Sequence, residues 1–415
     1  MGGVYRYVAV HDMRKGGWRV RLARTRRYLV AKNLAKRVLP GRHVWPGPVD
    51  DTTSAPMQEA RPVVMEWPSQ VAKPFVGLVQ DVDYHPYWTR YRSFLEANDV
   101  PHQIYDIHRS DWLEAAARFD IIVWRPMSFP YELEECTRKY WLISQLLDTL
   151  TLPRFHELMV YEDKALQYEL LRHIGAPAAE TFISHSSQES LDFVENCTYP
   201  QVWKYVSSSG SDDVELLRSP RRARHWVNQA FSFAGRRTSY PYVAQKNMVL
   251  MQKYIPGSKF DLRVIAIGDH MFGYYRDVPA GEFRASGMGT VRYGALPEDA
   301  MELAYSTADA LDMTCLAVDM LLSEGEQRYS IIEVAPFSGW PQSTRWSLMV
   351  DGQPGVYMRT PVGYVFEPGP CWHQHYALAR FLDRHWVQPR LQGRHAVSPQ
   401  AESTEGPTET SRNMP

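Results

Sequence analysis

Two acidic residues at the ends of short strand-like segments are the first candidates for chemistry. Asp319 follows the apolar pair Ala317–Val318, and Glu333 follows Ile331–Ile332 on the next such segment. Consecutive strands usually lie side by side, so both carboxylates are predicted to share one cleft. Two unit charges at about 4 Å repel by roughly 4 kcal/mol at an effective dielectric of 20. A cation is therefore expected between them, and Mg²⁺ completed by phosphate and water fits two carboxylates. The alternative is that both are ordinary acids at strand ends.

Basic side chains on neighbouring segments provide the complementary charge. They are Lys164, Lys204, Arg263, Arg276 and Arg284. Arginine presents a bidentate fork to phosphate or carboxylate, whereas lysine acts as a point charge. Asp261 lies two residues before Arg263, so it is predicted to share a strand face with that guanidinium and to hold it. A single arginine is more often a surface ion pair, but several basic residues near two acids indicate a site for a phosphorylated ligand.

One stretch of the chain, Tyr242 to Gly339, contains most of these residues. Its pattern predicts a strand, a hinge, a second strand, an arginine-bearing loop, a helix and two further strands. Upstream, the small-residue loop Ser207–Ser211 joins two predicted strands, with Lys204 at its edge. Its backbone N–H groups are suited to phosphate oxygens, although such loops are often simple turns.

A smaller region precedes this stretch. Apolar runs of strand length occupy Phe75–Gln80, His102–Ile107 and Asp120–Trp124, and helical segments separate them at Pro86–Asn98 and Trp112–Arg118. Strands that alternate with helices on short connections predict a parallel sheet covered on both faces.

Short motifs in the order of the chain resemble the ATP-grasp superfamily. They are Glu162-Asp163-Lys164, Val202-Trp203-Lys204, Gln252-Lys253-Tyr254-Ile255, Phe260-Asp261-Leu262-Arg263, Phe283-Arg284-Ala285-Ser286-Gly287, Val318-Asp319 and Ile332-Glu333-Val334. The resemblance covers roughly Leu152 to Gly339 and is closest to the branch of ribosomal-protein glutamate ligases and glutathione-synthetase-type enzymes. It implies an α/β (α+β) fold in which two α/β lobes clasp ATP, preceded by a small lobe with a parallel sheet.

The resemblance also implies roles for individual residues. Lys164 and Lys204 would contact the ATP phosphates, and the loop that carries Ser208, Ser209 and Gly210 would close over them. The adenine would meet Gln252, Lys253, Tyr254 and Ile255, mainly through backbone groups. Arg263 and Arg284, with Lys204, would serve the transferred phosphoryl group or the acyl substrate. Asp319 and Glu333 would hold Mg²⁺, with Mn²⁺ as the alternative ion.

The chemistry implied by the resemblance is ATP-dependent joining of a carboxylate to an amine. ATP converts the carboxylate, small-molecule or peptide, to an acyl phosphate, and the amine then displaces phosphate. One departure from the family is Ala335, where members usually carry an asparagine that ligates metal. A kinase-like phosphotransferase and a nucleotide-binding regulatory or scaffold protein therefore stay open as alternatives.

The domain organisation is predicted from these patterns. Residues 1–73 form a basic arm and a proline-rich linker, 74–156 the small α/β lobe, and 157–375 the ATP-grasp domain. Residues 376–415 are expected to form a C-terminal helix and a disordered tail, because the tail has few large apolar residues. The segment Gly363–Trp372 is turn-rich.

The balance of charge excludes a general attraction to nucleic acid, since 46 basic residues face 47 acidic ones. The local exception is residues 14–42, which contain many arginines and lysines and no acid. This segment is predicted to be an amphipathic helix on an anionic membrane face or an acidic partner, a targeting presequence, or simply a solvated arm. An oligomer is compatible with the sequence.

Cysteine usage and hydropathy bear on location. The four cysteines are widely spaced, without the pattern of a zinc site or a disulfide framework, so a reducing cytoplasm is expected. The chain is predicted to have no membrane-spanning helix and no secretory signal, because long apolar runs are missing from its sequence.

Overall fold

The structure is a computed structural model, and it describes residues 60–81, 86–206, 214–238, 240, 243–279, 281–284, 291–323, 328–337 and 346–393. The helices are α1 Tyr87–Ala97, α2 Trp112–Ala116, α3 Pro130–Leu146, α4 Phe155–Val160, α5 Lys164–His173, α6 Ser187–Asn196, α7 Pro220–Ala230, α8 Glu298–Ala310, α9 His373–Leu382 and α10 Gln388–Leu391, with a π-helical turn at Asp383–Val387. Within those ranges, no helix combines the length and apolar character needed to cross a bilayer. The basic segment 14–42 lies outside the described residues, and so do residues 394–415, which include the predicted disordered tail.

The first lobe is built on a parallel sheet of four strands. These are β1 Val76–Leu78, β2 His102–Ile104, β3 Ile121–Val123 and β4 Leu150–Leu152, in the order β2-β1-β3-β4. All three pairings are parallel, which confirms the prediction. Side chains alternate between the two faces of the sheet, and both faces are covered by helices.

The C-terminal helix α9 belongs to the cover of this first lobe. Its Leu378 and Phe381 pack in one core with Phe94 of α1 and with Val76 and Ile121 of the sheet. The opposite face packs against α3. Residues from the two ends of the chain therefore stabilise one lobe together. Part of the predicted linker is also packed here, since Val71 is buried in the same core.

The second sheet is antiparallel and has four strands. They are β5 Thr181–Ser184, β6 Gln201–Trp203, β7 Glu215–Leu217 and β10 Val249–Lys253, in the order β5-β10-β6-β7. Helices α6 and α7 cover one face, where Trp203 meets Trp226 at a ring distance of 5.4 Å. A short ribbon of β8 Arg236–Arg237 and β9 Ala244–Gln245 lies beside it.

The third sheet is the largest and is also antiparallel. Its strands are β11 Phe260–Ile267, β12 His270–Asp277, β13 Val291–Arg292, β14 Leu316–Ser323, β15 Arg328–Ala335, β16 Met349–Val350, β17 Gln353–Thr360 and β18 Gly363–Pro368. Helix α8 packs on it through Ala300, Met301 and Ala304, against Val264 and Ile265 of β11. This sheet and the second sheet together provide the two-lobed α/β arrangement that the resemblance implied.

Two features of the third sheet differ from the sequence-based expectation. Strand β12 was not predicted as a separate strand, and Gly363–Trp372 was expected to be turn-rich, whereas Gly363–Pro368 pairs with β17 along its length. Among the described strands β18 pairs with β17 alone, and its side chains are half-buried or exposed. An edge strand does not need the apolar alternation that makes a buried strand readable in a sequence.

Candidate active site

The two candidate metal-binding carboxylates lie directly opposite each other in the third sheet. Asp319 of β14 and Glu333 of β15 are register partners, and the register shifts immediately after Asp319. The prediction that they occupy adjacent strands is confirmed. A shift of this kind marks a β-bulge or similar irregularity, which alters the direction of nearby side chains.

Asp319 is held by two arginines. Arg263 Nε lies 2.6 Å from Asp319 Oδ1, and Arg263 Nη2 and Arg276 Nη2 each lie 2.7 Å from Oδ2. Burial opposes ionisation of this carboxyl, but the two guanidinium groups outweigh it and hold the pKa of Asp319 well below its usual range. Asp319 is therefore anionic in the folded protein.

The second acid of this network corrects a pairing inferred from the sequence. Asp261 was expected to hold Arg263 on the same strand, but its Oδ2 accepts a hydrogen bond from Arg276 Nη2 at 2.6 Å. In the sheet, Asp261 faces Arg276 on β12, and Arg263 faces Asp319 on β14. Directly opposed residues on neighbouring strands are closer than residues two apart on one strand, so the cross-strand partners are favoured.

Glu333 has a different partner, supplied by a helix. Lys164 Nζ lies 3.2 Å from Glu333 Oε1, and Lys164 is the first residue of α5. The helix begins there because the Asp163 side chain accepts hydrogen bonds from the amides of Ala165 and Leu166. The N-cap thus directs a buried lysine toward the strand that carries Glu333.

Lys204 reaches the same strand from the second sheet. Its Nζ donates a hydrogen bond to the carbonyl oxygen of Ile332 at 3.0 Å. Burial lowers the pKa of Lys204 to about 8. A buried ammonium whose hydrogen-bond partner in the described part of the chain is a neutral carbonyl is suited to binding an anion.

A cleft between the second and third sheets brings several predicted residues together. Four of the predicted residues line it together with apolar residues such as Leu250, namely Lys164, Lys204, Gln252 and Glu333. Basic groups near the carboxylate and an apolar wall are the complement of a nucleotide, with its phosphates and its flat base.

The predicted hinge borders this cleft. Gln252 lies in β10 and donates a hydrogen bond through Nε2 to Thr181 Oγ1 at 3.1 Å. Lys253 bonds through its amide to Glu180 O and pairs through Nζ with Glu180 Oε2 at 3.4 Å. Tyr254 and Ile255 follow β10 and are half-buried. The adenine-binding role of this segment stays a prediction.

Four predicted site residues are not placed by the structure among the charged groups around Asp319 and Glu333. Arg284 pairs with Glu282 at 3.5 Å, and its guanidinium lies 5.5 Å from the centre of the Phe283 ring. Ser208, Ser209 and Gly210 lie outside the described residues. The roles proposed for these four residues stay predictions.

The donor set fits a divalent ion that is completed by phosphate and water. A carboxylate offers about four lone-pair positions. The arginines occupy three of those of Asp319, while among the described residues Glu333 pairs with Lys164. Within the described ranges, no group of three or more acidic, histidine or cysteine side chains is arranged to enclose a metal. Mg²⁺ usually keeps several waters and needs only one or two carboxylates, and the Ala335 side chain has no ligating atom, so metal binding by Asp319 and Glu333 stays a prediction.

One carboxylate near this cluster, that of Glu162, was not predicted from the sequence as a site residue. Glu162 was quoted only as part of a motif, yet it has a positive φ of 59° and a buried Oε2 without a hydrogen-bond partner among the described residues. An acid next to the N-cap Asp163 was the only available signal. Neither its backbone angle nor its burial can be read from one sequence.

With two antiparallel sheets and a basic cleft between them, the chain is similar to known nucleotide-dependent enzymes. Residues 161–347 match the RimK-like ATP-grasp domain family. This part of the chain is therefore similar to the ATP-grasp domains of carboxylate–amine ligases.

Individual relatives sharpen this assignment. A glutamate–LysW ligase of Sulfurisphaera tokodaii is 26% identical over 195 residues, which cover 46% of this chain and 64% of the relative. The corresponding ligase of Sulfolobus acidocaldarius is 25% identical over 174 residues, covering 42% and 57%. The chain therefore matches less than two thirds of the length of either relative.

The likeness extends to the fold of a solved enzyme. The crystal structure of a D-cycloserine synthetase aligns with 74% of this chain, and the alignment includes 98% of the synthetase chain. The sequence identity is 16% and the TM-score is 0.50. At this identity the comparison shows a shared fold.

Proposed function

We propose that this protein is an ATP-dependent ligase that joins a carboxylate to an amine through an acyl phosphate. The observation that carries the proposal is the convergence of Lys164, Lys204 and Glu333 on one cleft between the two sheets of an ATP-grasp domain. The relatives named as glutamate–LysW ligases support the same reaction class.

The first step is activation of the acid. A carboxylate oxygen attacks the γ-phosphorus of ATP, the bond to the β,γ-bridging oxygen breaks, and ADP leaves. Lys164 and Lys204 are placed to bind phosphate oxygens as negative charge shifts between them. When bound at Asp319 and Glu333, Mg²⁺ supplies charge neutralisation to the phosphates.

The second step forms the amide. The amine nitrogen attacks the carbonyl carbon of the acyl phosphate, the bond between carbon and the phosphate oxygen breaks, and phosphate leaves while the nitrogen loses its proton. Arg263 and Arg276, fixed by Asp319 and Asp261, provide rigid N–H donors beside these groups. Rigid donors stabilise developing charge without reorganisation.

The substrates are proposed as a small-molecule or peptide carboxylate and an amine. Glutamate is the first compound to test in either role, because the similar ligases carry its name. We place the reaction in the cytoplasm, on the basis of cysteine usage. Contacts of residues 14–42 with a membrane or an acidic partner stay predictions.

The test is a matrix of acids and amines with ADP release and product mass as readouts. Wild-type protein is expected to release ADP and to form the amide in equal amounts with at least one pair. Lys204→Ala and Glu333→Ala should release none, with unchanged circular dichroism. The matched controls, Lys246→Ala and Glu169→Gln, alter exposed side chains and should behave as wild type.

Two results would contradict the proposal. Phosphorylated product without amide would show a phosphotransferase. Binding of ATP with no ADP release across the whole matrix would show a nucleotide-binding regulatory or scaffold protein.

A further inference from the structure

Glu162 combines two unusual properties at one residue. Its backbone adopts φ 59°, a left-handed conformation that side chains other than glycine rarely adopt. Its Oε2 is buried and has no hydrogen-bond partner among the described residues, although the residue as a whole is only half-buried. Strained residues of this kind concentrate at functional sites, where the surrounding structure maintains them.

The flanking residues explain how this position is maintained. On one side, the Tyr161 ring packs against Phe337 at 5.0 Å, directly after the strand that carries Glu333. On the other side, the Asp163 side chain caps α5. The backbone of Glu162 is therefore fixed between a buried aromatic contact and a helix N-cap, and its side chain is left beside the candidate active site.

Two of the cations around Glu162 are engaged with other acids. Its charged neighbours are Lys164, Glu333, Arg263 and Arg125. Lys164 pairs with Glu333, and Arg263 pairs with Asp319. When the two lysines of the cleft turn to phosphate oxygens, Arg125 stays near Glu162 within the described part of the chain, and a bound cationic group would add to its positive charge.

The position of Glu162 indicates where that group comes from. Phe337 also contacts Tyr87 of α1 at 6.3 Å, and the Arg125 guanidinium lies 4.8 Å above the Tyr87 ring. Arg125 follows β3, at the carboxyl end of the parallel sheet, where open α/β sheets bind their ligands. Glu162 thus lies where the first lobe meets the ATP-grasp domain, so a group bound between these two parts would reach it.

We propose that Glu162 binds the cationic amino group of the amine substrate. A primary ammonium donates charge-assisted hydrogen bonds that a carboxylate accepts, and these are stronger than neutral ones. This inference rests on the proposed ligase function.

Burial is consistent with this role. It outweighs the opposing effect of Lys164 and raises the pKa of the Glu162 carboxyl to about 7, and Glu333 adds to the increase. An anionic group that is costly to bury alone is stabilised by a cationic ligand, which favours binding of a charged amine over a neutral one of similar shape.

A binding experiment tests the site without turnover. The thermal midpoint of the full-length protein is measured at pH 8 in ammonium chloride, potassium chloride and tetramethylammonium chloride at equal ionic strength. Ammonium should raise the midpoint by about 1 to 2 °C more than either other salt, because only it donates N–H hydrogen bonds. The difference should vanish in Glu162→Gln and persist in Glu169→Gln, which alters an exposed acid on α5.

A difference that survives in Glu162→Gln, or a wild-type protein that does not distinguish the three cations, overturns the proposal. If the effect depends on Glu162 but no acid–amine pair yields an amide, the cation site stands and the ligase function fails. The two ideas are therefore tested separately.

A kinetic experiment locates the site in the reaction. With a pair found in the substrate matrix, Glu162→Gln should raise the KM for the cationic amine by about 10- to 100-fold, as expected for loss of a charged hydrogen bond. Trapping of the acyl phosphate by hydroxylamine, which is uncharged at pH 8, should stay within about twofold of wild type because it does not need the ammonium contact. An equal loss in both assays would assign Glu162 to activation of the acid and contradict the proposal.

Discussion

The two carboxylates opposite each other in the third sheet are held in contrasting ways. Asp319 is 4% exposed and belongs to a buried network with Arg263, Arg276 and Asp261, all on strands. The Glu333 side chain is 29% exposed and pairs with a single lysine from a helix. Buried charges are costly to separate, whereas a pair with one partly exposed member costs less to exchange.

This difference indicates a division of labour. The Asp319 side of the site is a preset part of the scaffold, because any change there leaves a buried charge without its partner. The Glu333 side is adaptable, because Lys164 can leave it for a phosphate oxygen at little cost. The predictions below test this contrast, from the largest expected effect to the smallest.

The largest effect is expected on breaking the buried network. Arg276→Met should lower the free energy of unfolding by about 3 to 5 kcal/mol, because it leaves Asp261 without its charged partner and Asp319 with one arginine. Urea unfolding measures this. Arg292→Met, which breaks an exposed pair with Asp277, should cost about 1 kcal/mol or less. If both variants lost the same free energy of unfolding, the Asp319 network would be no more important to stability than a surface ion pair, and the contrast would fail.

Glu333→Gln should affect activity rather than stability. ADP formation is expected to fall by at least about 100-fold, since a neutral amide is a poor metal ligand and loses the pairing with Lys164. The free energy of unfolding should fall by less than in Arg276→Met, because Glu333 is partly exposed although its partner Lys164 is buried. Steady-state ADP release and urea unfolding are measured on the same preparation. A large loss of stability with normal turnover would reverse the assignment.

Glu162→Gln should stabilise the protein at alkaline pH. The folded-state pKa of about 7 exceeds the ordinary value of 4.5, so the folded protein binds more protons between these values and wild-type stability falls as pH rises through them. The variant lacks this loss and should be about 1 to 3 kcal/mol more stable than wild type at pH 8. Urea unfolding at pH 5 and pH 8 checks this, with little difference expected at pH 5. A constant difference at both values would exclude titration of Glu162 as its cause.

Lys204 should make nucleotide binding depend on pH. Burial lowers its pKa to about 8, so its charge is present below that value and is lost as pH rises above it. ATP affinity, measured by calorimetry, should fall by about tenfold between pH 7 and pH 9.5 in wild type. Lys204→Arg keeps its charge throughout, and its affinity should change by about twofold or less. Parallel declines in both proteins would place the titrating group elsewhere.

Sequence patterns were sufficient for much of the architecture. Alternating strands and helices predicted the parallel sheet of the first lobe, and the order of short motifs predicted the ATP-grasp fold. The adjacency of Asp319 and Glu333 followed from two consecutive strands on a short connection. Each of these inferences depends on local pattern or on chain order, which a sequence displays directly.

The exact partners of the charged residues depended on long-range geometry. Asp261 was assigned to Arg263, its near neighbour in the chain, but the pairing of β11 with the unpredicted strand β12 gave it Arg276 instead. Likewise, the helix that begins at His373 was not expected to cover the first lobe, some 280 residues earlier in the chain. The distance between two residues along the chain does not indicate whether they are in contact in the folded protein.

The sequence by itself determined which charged residues the site contains and the order of the strands and helices that carry them. Only the tertiary structure decided which of those charges neutralise one another and which, like Glu162, are buried without a partner among the described residues. The reason is physical. Residue type and periodicity are local properties, whereas the cost of a charge depends on everything that packs around it after folding.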